Sequence, residues 1–326
     1  MIIVRSPLRI SLGGGGTDLP SFYKNHGGFV ISAAINKYVF TTITKPFEEG
    51  YYLKYSSTEK VKDIKKIKHP IIREVLIEEN LKNLPMEITT LADIPSGTGL
   101  GSSGSFTSSL IKALYEYKNS KIDKETLAKK SCKIEIDKLR DPVGKQDQYI
   151  ATYGGLRSFN FYRNEKVLVK NLRMKKDSIK KLEKNLLMFF TGQTRASKKI
   201  LITQKNETEL NNKKMIDNLM KIKEMGYEVK KILENGNLDQ FGEIMNRHWF
   251  EKKKRSKQMT NFFIEKLYND ALKNGAIGGK LVGAGGGGFL LFYCHDTLKL
   301  KNFFKKRKIE EIDFKFEFSG TQTIMS

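Results

Sequence analysis

The sequence predicts an α+β fold in two domains, and three observations carry that prediction. The opening quarter is rich in apolar, β-branched runs of strand length. The segment from Ala196 to Glu234 is apolar at helical spacing, and glycine-rich loops stand between the regular elements. A chain of 326 residues is long enough for two ordinary cores. The shift from strand-rich to helix-rich sequence near residue 176 places an N-terminal domain at 1–176 and a C-terminal domain at 177–326.

The elements follow in order. Ile2 to Arg5 and Arg9 to Leu12 read as short strands around Pro7, and Phe29 to Ile31 and Tyr38 to Ile43 as two further strand-forming runs. Met86, Ile88, Thr90 and Ala92 alternate with polar residues up to a Gly/Ser loop at Pro95 to Ser105. Phe106, Leu110, Leu114 and Tyr117 then recur at helical spacing, and a second helix is predicted from Lys124 to Leu139. A strand at Leu186 to Phe190 precedes the long helical stretch from Ala196 to Glu234. Shorter helices are predicted at Leu238 to Trp249 and Asn261 to Lys273. A glycine loop, Gly283 to Gly288, leads into a strand at Phe289 to Tyr293, and Phe314 to Phe318 reads as a closing strand that can pack back on the first domain.

Composition narrows the function. Arg5, Pro7 and Arg9 interrupt the apolar run that a secretion signal needs, and Phe289 to Cys294 falls far short of the roughly 20 residues of a membrane span. Cys132 and Cys294 lie in unrelated contexts, so the cytoplasm is the expected compartment. The formal charge of +23 admits nucleic acid, an anionic membrane or an anionic substrate. The lysines are spread through helix-like segments and often lie beside Glu or Asn, which favours solvated faces. The densest runs, Lys252 to Arg255 and Lys305 to Lys308, lack the interleaved aromatics of a single-strand groove.

The Gly/Ser loop is the most informative segment. Its residues Gly97, Thr98, Gly99, Leu100, Gly101, Ser102, Ser103, Gly104 and Ser105 let backbone N–H groups converge, and a helix beginning just after them adds partial positive charge. Such a loop suits phosphate, and a Ser at the junction can also ligate Mg2+. The Walker pattern is absent. Gly99, Gly101 and Gly104 match G-x-G-x-x-G, but a second helix follows where a dinucleotide fold needs an acid-tipped strand. Gly13 to Gly16, with Thr17 and Asp18, reads either as a ligand loop or as a loose turn. Gly283 to Gly288 reads either as a ligand loop or as a tight turn against packed backbone. Asp147 lies in a polar turn, where a carboxylate near Arg or Lys can orient or deprotonate a hydroxyl. Glu135 is either a solvated helix residue or a partner for a cation at the Ser-rich loop.

Ser6 to Gly13 with Thr17-Asp18, the Pro95 to Ser105 loop, Gly144 to Gln148 and Lys280 to Gly288 together resemble the successive motifs of the GHMP small-molecule kinases, which include galactokinase, homoserine kinase and mevalonate kinase. Within that family, Gly13 to Asp18 and Pro142 to Gln148 most resemble the bacterial D-glycero-D-manno-heptose 7-phosphate kinases. The resemblance implies an N-terminal domain like domain 2 of ribosomal protein S5, a ferredoxin-like C-terminal domain, and ATP with Mg2+ in the cleft between them. Ser103 and Glu135 match the family's Mg2+ positions, Asp147 its catalytic Asp, and Arg9 the basic residue beside it. Gly15, Gly16, Thr17, Asp18, Gly285 and Gly286 match positions facing the acceptor. Glycines replace the Glu and His that precede Thr-Asp in galactokinase, so galactose is not the expected acceptor.

A phosphorylated sugar further needs cations, for which Arg140, Lys145 and Arg195 are candidates. The implied activity is phosphorylation of the anomeric hydroxyl of a heptose 7-phosphate, supplying nucleotide-activated heptose for surface polysaccharide. Fucose or another sugar is the alternative, and an RNA-binding protein with a vestigial kinase site is a third reading. Neither nucleic acid nor membrane is an expected partner, and a homodimer is compatible with the sequence.

Overall fold

The computed structural model describes residues 1–82, 84–193 and 197–326. The chain opens with β1 (Ile2–Gly13), α1 (Pro20–His26) and β2 (Gly28–Thr44). It continues through β3 (Tyr51–Lys54), β4 (Thr58–Val61), α2 (Pro70–Glu78) and β5 (Met86–Ala92). Three helices follow, α3 (Ser102–Tyr117), α4 (Lys124–Cys132) and α5 (Gln146–Tyr153), and then β6 (Leu156–Phe161) and β7 (Val167–Asn171).

β1 and β2 form the spine of the first sheet, whose order is β11-β1-β2-β5-β3-β4, where β11 is Gln322–Met325. The two runs predicted around Pro7 are one strand: β1 pairs antiparallel with β2 throughout, and the register shifts between Pro7 and Leu8. Proline cannot donate to a ladder, so an irregularity is where a long strand tolerates it. β2 likewise joins two predicted runs. Its first half pairs with β6 and its second half with β5. Helix α3 packs on β1 and β2 on one side and α8 (Lys213–Asn235) on the other. That double cover explains why β1 is buried from Ser6 onward.

The remaining elements are α6 (Lys176–Asn185), β8 (Leu186–Phe190), α7 (Ser197–Glu209), α9 (Leu238–Lys253), α10 (Phe262–Lys273), β9 (Ala276–Leu281), β10 (Phe289–Cys294) and α11 (Thr297–Lys306). The second sheet is antiparallel, β8-β10-β9. Its core gathers Leu187, Phe189, Trp249, Ile264, Phe292 and Phe304. The single helical stretch expected from Ala196 to Glu234 is broken. Asn211 adopts φ +54°, and the Asn212 side chain accepts from the N–H groups of Lys214 and Met215 at 3.0 and 3.3 Å, capping α8.

Two further expectations are corrected. The helix expected to run to Leu139 is α-helical only to Cys132 and becomes a π-helical turn over Lys133–Lys138. Phe314 to Phe318 is not a strand. Phe316 makes an isolated bridge to Ile35, with backbone bonds from Asn36 to Lys315 and from Glu317 to Ala34, but side chains take two of the N–H groups: Asn36 accepts from the Lys315 N–H at 2.7 Å and Glu183 from the Phe316 N–H at 2.7 Å. The strand near the end of the chain is β11 instead, antiparallel to β1.

The glycine turn before β10 sets the two sheets close together at one point. Gly283 has φ +76°, and a Cβ there would lie 2.5 Å from Gly99 Cα. The chain therefore crosses the Gly/Ser loop backbone against backbone, as the tight-turn reading of this cluster required. Gly283→Ala is expected to lose about 2–3 kcal/mol through strain and overlap together. A urea melt within about 0.5 kcal/mol of wild type would show the crossing to be loose.

Candidate active site

A cleft of about 650 Å3 runs between the two sheets and collects about half of the candidate site residues singled out above. At its centre, Arg9 projects from β1 and Asp147 from the first turn of α5. The Arg9 Nε and Nη2 groups donate to the two Asp147 carboxylate oxygens at 2.8 and 2.9 Å, a bidentate pair. Arg9 is buried behind the pair and Asp147 is the partner turned toward the cleft, their side chains being 7% and 24% exposed. Arg9 also donates to the Gly99 carbonyl, and its own N–H donates to the Leu100 carbonyl at 2.9 Å, so β1 is tied to the Gly/Ser loop.

Glycine at 101 makes this approach possible. It adopts φ +78° and caps α3, and a Cβ there would stand 3.1 Å from both Arg9 Cγ and Asp147 Cγ. The Gly/Ser loop then divides by direction. Gly97, Gly99, Gly101, Ser102 and Ser103 line the cleft at the start of α3, where free N–H groups and the helix dipole favour an anion. The side chains of Thr98, Leu100 and Ser105 are turned inward. Thr98 Oγ1 donates to the Pro95 carbonyl at 3.0 Å, Leu100 belongs to the main core, and Ser105 Oγ donates to the Pro7 carbonyl at 2.6 Å. Gly104 is packed against Asp147. These four shape the loop and do not line the cleft.

Glu135 stands on the π-helical turn and is buried, not solvated. A π turn changes which face a residue presents, and such turns frequently occur at functional sites. Burial first, and the Asp147 charge after it, push the Glu135 carboxyl up to about 7, against hydrogen bonds from Ser103 and Gln148. Gln148 Nε2 donates to Glu135 Oε1 at 2.9 Å, and the Gln148 amide oxygen is buried without a partner among the described residues.

The Gly13 to Asp18 segment closes one end of the cleft. Gly15, Gly16 and Asp18 line it, while the Thr17 hydroxyl is buried and donates to the carbonyls of Gly14 and Phe29 at 2.9 and 3.0 Å. Asp18 accepts from the N–H groups of Gly16 and Gln146, each at 3.0 Å. Burial and the Asp147 charge raise its carboxyl above the ordinary Asp range.

The structure corrects the cationic candidates. Arg140 is exposed and does not line the cleft. Lys145 points away from the cleft, over the Tyr23 ring at 4.8 Å, and donates to the Glu165 carbonyl at 3.3 Å. Arg195 lies outside the described residues. Gly285 and Gly286 also leave the cleft: the Gly286 N–H donates to the Met259 carbonyl at 2.8 Å, and Gly285 packs on the Met259 side chain.

The cations that do line the cleft are Arg9, Lys252, Arg255 and Lys280. Two of them come from the lysine-rich run that composition assigns to a solvated face. Lys252 and Arg255 are buried, whereas Lys254 of the same run is exposed. Spacing on α9 was the available signal, since Lys252 follows the buried Met245, His248 and Trp249 at intervals of seven, four and three. Sequence reasoning also missed an aromatic group at the other end of the cleft, where the rings of Tyr55 and Phe106 stand edge-on to His69 at 4.7 and 5.2 Å.

Known proteins are similar to this chain in sequence and fold. Residues 65–155 match the GHMP kinases N terminal domain, and residues 229–308 match the GHMP kinases C terminal domain. A D-glycero-alpha-D-manno-heptose 7-phosphate kinase from Campylobacter jejuni is 32% identical over 99% of this chain and 98% of its own length. The chain belongs to the GHMP kinases. An L-fucokinase/L-fucose-1-P guanylyltransferase from Bacteroides fragilis is 27% identical over 90% of this chain, which spans 34% of that protein. The crystal structure of a D-glycero-D-manno-heptose 1-phosphate kinase from Bacteroides thetaiotaomicron aligns with a TM-score of 0.82 at 23% identity, covering 100% of this chain and 99% of that one, a likeness of fold.

As a GHMP kinase the chain is an ATP-dependent phosphotransferase with an alcohol group as acceptor, of the family's sugar-kinase kind. Among the described residues, no helix is long and apolar enough to cross a membrane, and no three His, Cys, Asp or Glu side chains converge as a metal centre. The Ser103 hydroxyl with the Glu135 carboxylate is nevertheless a donor set that fits Mg2+, which takes one or two carboxylates and completes its shell with water and substrate phosphates.

Proposed function

We propose that this GHMP kinase transfers the γ-phosphoryl group of ATP to the anomeric C1 hydroxyl of D-glycero-D-manno-heptose 7-phosphate, giving the 1,7-bisphosphate, in the cytoplasm and on the route to nucleotide-activated heptose for surface polysaccharide. The observation that carries it is the Arg9–Asp147 pair, which faces the cleft beside the Gly101 turn and the start of α3. The full-length likeness to a heptose 7-phosphate kinase supports the choice of acceptor.

Phosphoryl transfer asks the protein mainly to align an oxygen with the γ-phosphorus and to neutralise charge. The N-terminal turn of α3 receives the phosphates, and the patch around His69 receives the base. Ser103 and Glu135 would hold Mg2+, which supplies neutralising charge at the β- and γ-phosphates. Asp147 accepts the acceptor's hydroxyl proton as the new O–P bond forms and the bond from the γ-phosphorus to the β-phosphate oxygen breaks, releasing ADP. Arg9 fixes the Asp147 carboxylate and balances its charge. Asp18 accepts from sugar hydroxyls, with Gly15 and Gly16 allowing close approach.

ADP release measured over a panel of sugars tests this reading. Turnover is expected with heptose 7-phosphate and not with galactose. Turnover of fucose or another unphosphorylated hexose, without heptose 7-phosphate, would replace the acceptor.

A further inference from the structure

We propose that Arg255, Lys252 and Lys280, with Gln204 and His248 beside them, form the pocket that holds a phosphate already carried by the acceptor. The proposal rests on the acceptor's being a phosphorylated sugar.

The three cations are buried, and none of them makes an ion pair among the described residues. Their N–H groups are directed at neutral oxygens instead. Lys252 donates to the carbonyls of Leu281 and Gly283, and Lys280 to that of Leu12 at 2.9 Å. Arg255 donates from Nε to the Asn218 amide oxygen at 3.0 Å, and from Nη1 to the Gly15 carbonyl at 3.2 Å and the Gln204 amide oxygen at 3.3 Å. The Arg255 Nη2 group and both ring nitrogens of His248 are buried without partners among the described residues. Uncompensated buried charge costs several kcal/mol, and a fold that keeps three such groups together is organised for an anion.

The carboxylates lining the cleft are Asp18 and Asp147, and Asp147 is engaged by Arg9. Three cations facing one free carboxylate match a phosphate dianion. Burial, reinforced by Arg9 and Arg255, holds Lys280 down at about 7, and burial with Lys280, Arg255 and Arg9 depresses Lys252. His248 is depressed by burial and by Lys280, Arg255 and Lys252. An anion placed among these groups relieves their mutual repulsion.

Position identifies the end of the cleft served. Arg255 holds the Gly15 carbonyl, and Gln204 donates to the Gly16 carbonyl at 2.9 Å, so both belong to the segment that carries Asp18. The Gly97 to Ser103 loop and the His69 aromatic patch contribute the nucleotide side.

The phosphate could in principle come from either substrate, and the test separates the two. Inorganic phosphate is titrated calorimetrically into wild type saturated with a non-hydrolysable ATP analogue, and then into Arg255→Gln. Phosphate is expected to bind the nucleotide-loaded wild type, to compete with the acceptor and to bind Arg255→Gln at least tenfold more weakly. The preference for heptose 7-phosphate over the same heptose without its phosphate is expected to fall at least 100-fold, with KM for ATP changed less than about twofold. Competition of phosphate with ATP, or a raised KM for ATP with the acceptor preference intact, would assign the cluster to the nucleotide and overturn the proposal. Should Arg255→Gln fail to fold, Lys252→Met is read by the same ratio. Phosphate binding to the nucleotide-loaded protein without turnover of heptose 7-phosphate leaves the pocket standing and removes the choice of acceptor instead.

Discussion

Asp147→Asn is expected to lower kcat by about 10³-fold, or ~4 kcal/mol of barrier, while KM for ATP stays close to wild type. The asymmetry follows from what the substitution keeps. An amide oxygen still accepts one of the two Arg9 bonds, and Asn has nearly the volume of Asp, so the geometry at the first turn of α5 is largely kept. The ability to take a proton is lost. Arg9 loses its charge partner in a buried setting, and one of its two donors then meets an amide N–H2, so the melting temperature is expected to fall. Turnover within a few-fold of wild type would exclude Asp147 as the base and leave it a positioning residue.

Glu135→Gln is expected to make the protein more stable and less active. The folded carboxyl titrates at about 7, above its ordinary 4.5. A group raised in this way contributes stability that is fully present below the unfolded value and is lost as pH rises through about 7. At pH 8 the wild-type protein without nucleotide therefore carries a buried, charged carboxylate. Its removal is worth at most about 3 kcal/mol, several degrees in Tm. The gain should shrink toward pH 5, where both proteins are neutral at this position. Activity should move the other way, falling about 10²-fold or more, with the Mg2+ concentration for half-maximal rate rising. Thermal melts at pH 5 and 8 with an Mg2+ titration of the rate check both halves. Full activity at ordinary Mg2+ would remove Glu135 from the metal's ligands, and a pH-independent Tm difference would remove the buried charge as the cause.

Local chemistry was legible in the sequence where it is contiguous. The Gly/Ser loop, α3 behind it and the strand Leu186–Phe190 follow from spacing and composition alone. The resemblance added the distant partners, Arg9 and Asp147, which 138 residues separate. Groups whose role depends on three-dimensional burial could not be read this way. Lys252 and Lys254 are two residues apart in one lysine-rich run, and only helix phase against the second sheet decides that one faces the cleft and the other water. Glu135 faces inward because the helix changes to π geometry, which periodicity at 3.6 residues does not anticipate. The closing strand was misplaced for a related reason. Phe314 and Phe316 are apolar and buried as a strand's residues would be, but the N–H groups of Lys315 and Phe316 go to the side chains of Asn36 and Glu183, and only scattered backbone bonds reach β2.

The placement of β11 has a consequence for biogenesis. β1 carries Arg9, and its outer edge at Ile3 to Arg5 pairs with Gln322–Met325, next to the hydroxyl contact at 2.8 Å between Ser6 and Thr321, 315 residues apart. During translation the strand that bears a reactive side chain keeps this part of its edge unpaired until a partner some 315 residues later has emerged. Contacts of such long sequence separation form slowly, and an open edge invites pairing with other chains. Ribosome stalling before residue 322 should therefore yield chains prone to aggregate, not enzymes of reduced activity.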